Sequence, residues 1–132
     1  MRRNRSFNEW YGDMKGNIER ALSLIADCNS RADIIKDKSR KCKSFEQRLF
    51  FERDFEAEIK NKFIYKRIAA RCRRILMTGI NVHYARAISR GLNIDEIKVG
   101  SKRKDYLSAA FISREICISQ INSLYYKTNE ED

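Results

Sequence analysis

The side chains that most often carry out chemistry in proteins are few in this sequence and stand far apart. The four cysteines are Cys28, Cys42, Cys72 and Cys117, no two of them form a C-x-x-C pair, and His83 is the only histidine. A zinc site needs thiolates and imidazoles clustered at short spacings. We therefore expect no metal site, no cofactor, and thiols that stay reduced.

Acid–base or nucleophilic catalysis would need a partner for His83, because a general base acts within hydrogen-bonding distance of the group that it serves. No cysteine, serine or pair of carboxylates stands near it in a recognisable catalytic pattern. The phosphate-binding patterns G-x-x-x-x-G-K-[ST] and G-x-G-x-x-G are also missing from the sequence. The sequence therefore predicts a protein that is not an enzyme. The alternative is an enzyme such as a metal-independent nuclease.

Charge is the most distinctive property of the chain. It contains 28 Lys and Arg against 18 Asp and Glu, a net charge of +10. Residues 61–104 contain 12 basic and 2 acidic residues, so this block alone has the net charge of the whole chain. A positive field of this size attracts polyanions such as nucleic acid. The alternative interpretation is a well-solvated surface without a polyanionic partner.

Helical periodicity divides the first part of the basic block into two sides. The apolar side, which we expect to be buried, consists of Ile64, Ile68, Cys72, Ile75 and Leu76. On the other side, arginines can grip phosphate through two parallel hydrogen bonds. Phe63 lies among them and is a candidate to stack on a base, or else to pack under a neighbour. The predicted nucleic-acid-binding residues are Lys62, Lys66, Arg67, Arg71, Arg73, Arg74, Arg86, Arg90, Lys98, Lys102, Arg103 and Lys104.

Helices must position these residues, because the apolar residues recur every three or four positions and proline is absent. Capping boxes at Ser6–Glu9 and Ser44–Gln47 predict two helix starts. Asn29, Gly79 and Gly91 are predicted helix ends. The fold class predicted is all-α, a compact bundle of five to six helices with one long central helix. We expect a single domain over residues 1–128, followed by an acidic, frayed end at 129–132.

Residues 82–99 partly fit the helix-turn-helix pattern. Ala87, Gly91, Leu92 and Ile97 occupy its small, turn, apolar and buried aliphatic positions. Two arginines, at 86 and 90, stand where the pattern usually has apolar residues. An ordinary corner between two helices therefore remains the alternative to a DNA-reading motif.

The long segment 45–77 has a second apolar stripe, in which Phe51, Phe55, Ile59 and Phe63 step by four. We call the apolar side described above the isoleucine stripe; its residues are Ile64, Ile68, Cys72, Ile75 and Leu76. The two stripes lie on opposed faces of an ideal helix. Either the helix breaks near Asn61, or one helix buries both faces, one of them against a second subunit. The sequence thus leaves a homodimer or a helical protein partner open.

These patterns favour a small basic protein that binds nucleic acid, DNA more than RNA, mainly through phosphates, in a regulatory or architectural role. The alternative is an adaptor that binds an acidic or helical partner protein. No apolar run approaches about 18 residues, so we expect no membrane partner. The expected location is the cytoplasm, including a nucleoid or the interior of a host cell.

Overall fold

The computed structural model describes residues 6–92 and 100–130, and it describes side chains for 6–92 and 104–126. This part of the chain forms three α-helices, α1 (Phe7–Lys41), α2 (Phe45–Leu92) and α3 (Gly100–Glu130), and contains no β-strand. The predicted all-α class is confirmed. The prediction of five to six helices is wrong, because the expected breaks at Asn29 and Gly79 lie inside continuous helices.

Both helix starts predicted from capping boxes are confirmed. The backbone N–H of Glu9 donates to Ser6 Oγ at 3.2 Å, and that of Gln47 donates to Ser44 Oγ at 3.5 Å. These bonds satisfy amide groups that have no partner within the first turn of a helix. Each helix accordingly begins one residue after its serine.

α1 continues through Asn29 and Ser30, where the sequence predicted its end. Asn and Ser inside a helix each cost less than about 1 kcal/mol relative to Ala. Cys28 and Ala32, on either side of them, are buried on the same face of α1. Packing of that face outweighs the weak local preference, so α1 reaches Lys41 and residues 42–44 connect it to α2.

Gly79 and Gly91 do not end helices; both lie within α2, and no described glycine has a positive φ. A Cβ atom on Gly79 would stand 2.8 Å from Cζ3 of Trp10. A Cβ on Gly91 would stand 2.7 Å from side-chain atoms of both Tyr106 and Leu107. These glycines therefore let the side chains of Trp10, Tyr106 and Leu107 pack closely against α2. Neither glycine forms the left-handed turn that ends a helix.

The predicted helix-turn-helix corner at 82–99 is wrong in its first half. Residues 82–92 form the end of α2 without a new helix start, and Gly91 is helical. The second half of the proposed corner, 93–99, lies outside the described residues. The described part of the chain therefore contains no separate helix for the first arm of such a motif.

The chain divides into two compact units. One, here the hairpin unit, is Gly16–Cys72; the other, here the three-helix unit, combines Met1–Lys15 with Arg73–Asp132. α1 and α2 each contribute to both units.

The single domain expected over residues 1–128 stays a prediction. In the expected acidic end, residues 131–132 lie outside the described part of the chain.

The hairpin unit is built on one buried apolar face of α1. Its buried side chains are Ile18, Ala21, Leu22, Ile25, Cys28 and Ala32 from α1 and Ala69 from α2. The two helices are antiparallel, and Arg31 Nε donates to Glu58 Oε1 at 2.9 Å between them. One face of α1 thus supplies nearly all of this core.

The three-helix unit has its own core. Leu76 and Ile80 of α2 and Ala110 and Ile121 of α3 are buried. Leu107, Cys117 and Leu124 of α3 are half-buried.

The isoleucines in the isoleucine stripe of α2 are not buried, which corrects the sequence prediction. Ile64, Ile68 and Ile75 are 51%, 44% and 45% exposed. Leu76 of the predicted set is buried and Cys72 is half-buried; the other buried apolar positions of α2 are Ala69 and Ile80. The sequence prediction chose the buried positions by hydrophobicity, which favours large side chains. Ala69 is small, but it lies on the side of α2 that packs against a neighbouring helix. α2 is also unbroken at Asn61, so the predicted break there is wrong, while the second subunit stays a prediction.

Candidate nucleic-acid interface

The predicted basic residues of the hairpin unit differ in exposure. Arg67 and Arg71 are exposed and stand four residues apart on α2, one helical turn along the same side. Lys62 and Lys66 are half-buried and lie closer to the packed side of the helix. In this unit, therefore, the two arginines are the most accessible of the predicted phosphate ligands.

In the three-helix unit, Arg74, Arg86 and Arg90 of α2 and Lys104 of α3 are exposed. No ion pair joins any of the exposed α2 arginines to an acidic side chain within the described part of the chain. The sequence explains why, since no Asp or Glu occurs between Glu58 and Leu92. The charge of these arginines is thus not neutralised along their own helix.

Arg73 has a different environment from the arginines around it. Its Nε and Nη2 atoms donate to Asn122 Oδ1 at 3.2 and 2.9 Å. Its guanidinium also lies 5.3 and 5.0 Å from the ring centroids of Tyr125 and Tyr126. The structure therefore places Arg73 in the packing between α2 and α3, where its planar group is already engaged.

Three of the predicted residues cannot be placed. Lys98 lies outside the described residues, and the side chains of Lys102 and Arg103 lie outside the described side chains. They stay predictions from the sequence.

Phe63 is 56% exposed on α2 of the hairpin unit. The interpretation that it packs under a neighbour is wrong, because more than half of its surface is accessible. The exposed Ile64 and Ile68 follow it on the same helix. The accessible side of α2 in this unit therefore combines arginines with Phe63, Ile64 and Ile68, where the sequence predicted cations with Phe63 among them.

His83 belongs to an aromatic cluster at the start of α1 that the sequence analysis missed. Its ring stacks on Phe7 with centroids 3.8 Å apart and an interplanar angle of 7°, and Tyr84 meets Phe7 edge-on. Burial lowers the pKa of His83, and the positive charges of Arg90 and Arg86 lower it further. Phe7, Trp10 and Tyr11 stand at positions i, i+3 and i+4, which place them on one side of a helix. This spacing could have predicted that the first turn of α1 is packed.

The same cluster continues to α3. Tyr11 donates its hydroxyl proton to Gln120 Oε1 at 2.7 Å, and Tyr84 Oη lies 3.8 Å from Cys117 Sγ. Burial, followed by the nearby Cys117, raises the pKa of Tyr11 to about 12. Tyr11 and Tyr84, whose pKa values burial raises, stay protonated at neutral pH, and their arrangement serves packing within the three-helix unit.

The only other titratable cluster described, in the hairpin unit, is also structural in character. Burial raises the pKa of Cys28, and a hydrogen bond to Glu58 raises it further. The hydrogen bond from Arg31 lowers the pKa of Glu58. A cysteine thiol that resists ionisation is a poor nucleophile.

No group of three or more His, Cys, Asp or Glu side chains among the described residues is placed to hold a metal ion. None of the described helices carries an apolar stretch long enough to cross a lipid bilayer.

Comparison of the chain with protein-family models, with curated protein sequences and with solved structures gives no match.

Proposed function

We propose that this protein binds nucleic acid, DNA in preference to RNA, through phosphate contacts made by arginines of α2. The observation that carries the proposal is the set of exposed α2 arginines without acidic neighbours. These are Arg67, Arg71, Arg74, Arg86 and Arg90. Phosphate binding releases the counterions condensed on a nucleic acid, and each such contact adds affinity that falls with salt.

Arginine suits this role better than lysine would. Its planar guanidinium offers two parallel N–H groups to the oxygens of one phosphate and holds less water than an ammonium group. Phe63, one helical turn before Arg67, supports an additional contact, because an exposed aromatic ring can stack on an unpaired base. A protein that binds mainly through phosphates selects weakly among sequences, which fits an architectural or regulatory role.

We also propose a homodimer, for which the exposed Ile64 and Ile68 in the hairpin unit provide the support. Both isoleucines lie one turn apart on α2, and each is more than two-fifths exposed. Contact with a second copy would remove this apolar surface from water. The adjacent arginines would then stand at the edge of the contact and remain open to a polyanion.

The experiment that tests binding uses the full chain and labelled probes. Fluorescence anisotropy is measured with duplex DNA, single-stranded DNA and duplex RNA of equal length at low salt. The proposal requires saturable binding to at least one probe, tightest for DNA. A second reading is the 260/280 absorbance ratio of the purified protein before and after a high-salt wash. No binding to any probe at low salt would refute the function.

A further inference from the structure

A pocket of about 440 Å³ lies in the three-helix unit, between the first turns of α1 and residues 79–86 of α2. Phe7 and Trp10 of α1 and His83 of α2 supply its rings, and Gly79 and Val82 complete its apolar lining. We call it the aromatic pocket. Sites for small ligands commonly enclose about 300 to 1,000 Å³, so the aromatic pocket has room for one small ligand.

The rings of the aromatic pocket hold one another in place. Phe7 and His83 stack with ring centroids 3.8 Å apart, and the ring centroids of Phe7 and Trp10 are 5.9 Å apart. The indole of Trp10 lies against α2 at Gly79, where a Cβ atom would stand 2.8 Å from Cζ3. All three rings belong to half-buried residues, so each keeps accessible surface. Flat rings that are already in position can bind another flat ring by stacking, because little freedom is lost on binding.

The charge of the aromatic pocket selects an anion. Arg86 is the one formally charged residue among the described residues that line it, and Ser6 already caps α1. Glu9 and Asp13, the acidic residues in the first turns of α1, do not line the pocket. Arg86 is exposed and makes no ion pair with an acidic side chain in the described part of the chain. Aromatic rings can also bind a cation, but Arg86 would repel one.

We propose that the aromatic pocket binds one nucleotide, with its base stacked beside Trp10 and its phosphate on Arg86. The base is the flat ring and the phosphate is the anion, which a guanidinium holds through two parallel hydrogen bonds. An unpaired nucleotide of a DNA strand and a free nucleotide share this chemistry. For a DNA strand the inference rests on the proposed function, since Arg86 also belongs to the arginines proposed to bind phosphates. Phe63 belongs to the hairpin unit and does not line this pocket.

Trp10 provides the measurement, because it is the only tryptophan of the chain and a base that stacks on an indole quenches its fluorescence. The full chain is titrated with deoxyadenosine 5′-phosphate, with deoxyribose 5-phosphate, which lacks the base, and with deoxyadenosine, which lacks the phosphate. We expect saturable quenching by the nucleotide, none by the sugar phosphate, and affinity for the nucleoside lower on the order of tenfold. Equal quenching by the nucleotide and the sugar phosphate would overturn the proposal.

DNA probes distinguish the two sources of the nucleotide. A labelled duplex with a single-stranded overhang is compared with a blunt duplex of the same sequence, and both anisotropy and Trp10 fluorescence are recorded. Quenching by the overhang but not by the blunt duplex assigns the pocket to unpaired DNA. Quenching by deoxyadenosine 5′-phosphate alone assigns it to a free nucleotide.

The two readings also separate this inference from the proposed function. DNA that raises the anisotropy while no probe quenches Trp10 would refute the aromatic pocket and leave phosphate binding by the α2 arginines intact. Quenching by the free nucleotide without binding of any DNA would refute the proposed function and leave the pocket intact.

A carboxylate placed in the lining locates the site. Val82 is 43% exposed, so Val82→Glu should leave the circular dichroism unchanged and weaken nucleotide binding on the order of tenfold or more, by repelling the phosphate and removing an apolar contact. The matched control is Ile112→Glu on α3 of the same unit, at a residue that is 59% exposed and outside the lining. Equal losses from both variants would show general charge repulsion and refute the pocket.

Arg86→Gln tests the phosphate contact without adding a charge. This exposed side chain should be replaceable without loss of helical content, and its loss should weaken nucleotide binding on the order of tenfold. Arg53→Gln removes the same charge from an exposed position of α2 in the hairpin unit and is the control. If both variants bind the nucleotide equally tightly, Arg86 does not hold the phosphate and the proposal is wrong.

Discussion

Arg73 of α2 donates two hydrogen bonds to the amide oxygen of Asn122 on α3, at 3.2 and 2.9 Å. Arg73 is half-buried, and its guanidinium is flanked by the rings of Tyr125 and Tyr126. Arg74, the next residue, is exposed and makes no ion pair within the described chain. Two adjacent arginines of one basic segment therefore have different roles, one in packing and one on the surface.

Replacing Arg73 with Gln should therefore lower stability. Hydrogen bonds to a charged group contribute about 1.5 to 3 kcal/mol, and partial exposure should place the loss near 1 to 2 kcal/mol. Chemical denaturation of the variant checks this value. Arg74→Gln is the control and should change the free energy of unfolding by less than about 0.5 kcal/mol. Equal stability of the two variants would contradict the role assigned to Arg73.

Gly79→Ala should destabilise the three-helix unit. The added methyl group would stand 2.8 Å from Cζ3 of Trp10, so the ring or the helix must shift. Overpacking of this kind costs about 1 to 3 kcal/mol and exceeds the gain of up to about 1 kcal/mol in helix propensity. A thermal melt should thus show a lower Tm.

Gly12→Ala is the matched control for this substitution. Gly12 is also helical, but nothing lies within 4 Å of a Cβ atom at that position. Only the helix propensity changes there, which should raise stability by up to about 1 kcal/mol. If both alanines raised the Tm, the close contact between Trp10 and Gly79 would be wrong.

His83 should make stability fall as the solution becomes mildly acidic. Its folded-state pKa is lowered by burial first and by Arg90 and Arg86 next, so the unfolded chain takes up a proton at a higher pH. Stability is then full above the ordinary pKa of about 6.5 and is lost as the pH falls from there toward the folded-state pKa. Melting curves on both sides of that pH give the measurement.

His83→Phe should remove this dependence, because a phenyl ring can keep the stack on Phe7 without a titrating group. His83 is the only histidine, so no other imidazole contributes in that window. If the variant loses stability with falling pH as steeply as the unaltered protein does, then groups other than His83 cause the pH dependence.

Light scattering tests the proposed homodimer. We expect twice the chain mass of 15.6 kDa at micromolar concentrations, and the monomer mass for Ile64→Ser with Ile68→Ser. Both side chains are exposed, so the substitutions should leave the helical content unchanged. A monomer mass for the unaltered protein at all concentrations would exclude self-association through these residues.

The sequence predicted local structure well where short-range chemistry determines it. The serines at 6 and 44 start helices as their capping boxes predicted. Helix ends were not predictable in the same way. Gly79 and Gly91 have the residue type of a helix stop, but Trp10 and Tyr106 approach them from other helices.

The candidate site was predictable only in part, for a similar reason. Net charge located the basic segment, and five of its α2 arginines are exposed as expected. Sequence spacing could not show that Asn122 binds Arg73, because the two residues are far apart in the chain. Nor could hydrophobicity show that Ile64 and Ile68 lie on the accessible side, since the small Ala69 takes the buried position.

The salt dependence of DNA binding tests the central claim most directly. Arg71→Gln with Arg74→Gln removes two exposed charges, and each lost phosphate contact reduces the log–log slope by about 0.9 for duplex DNA. The account predicts a slope lower by about 1.5 to 2 and an unchanged Tm. Arg53→Gln with Lys38→Gln, which removes two exposed charges outside residues 61–104, should leave the slope nearly unchanged. Equal slopes for the two double variants would contradict a defined phosphate-binding surface on α2.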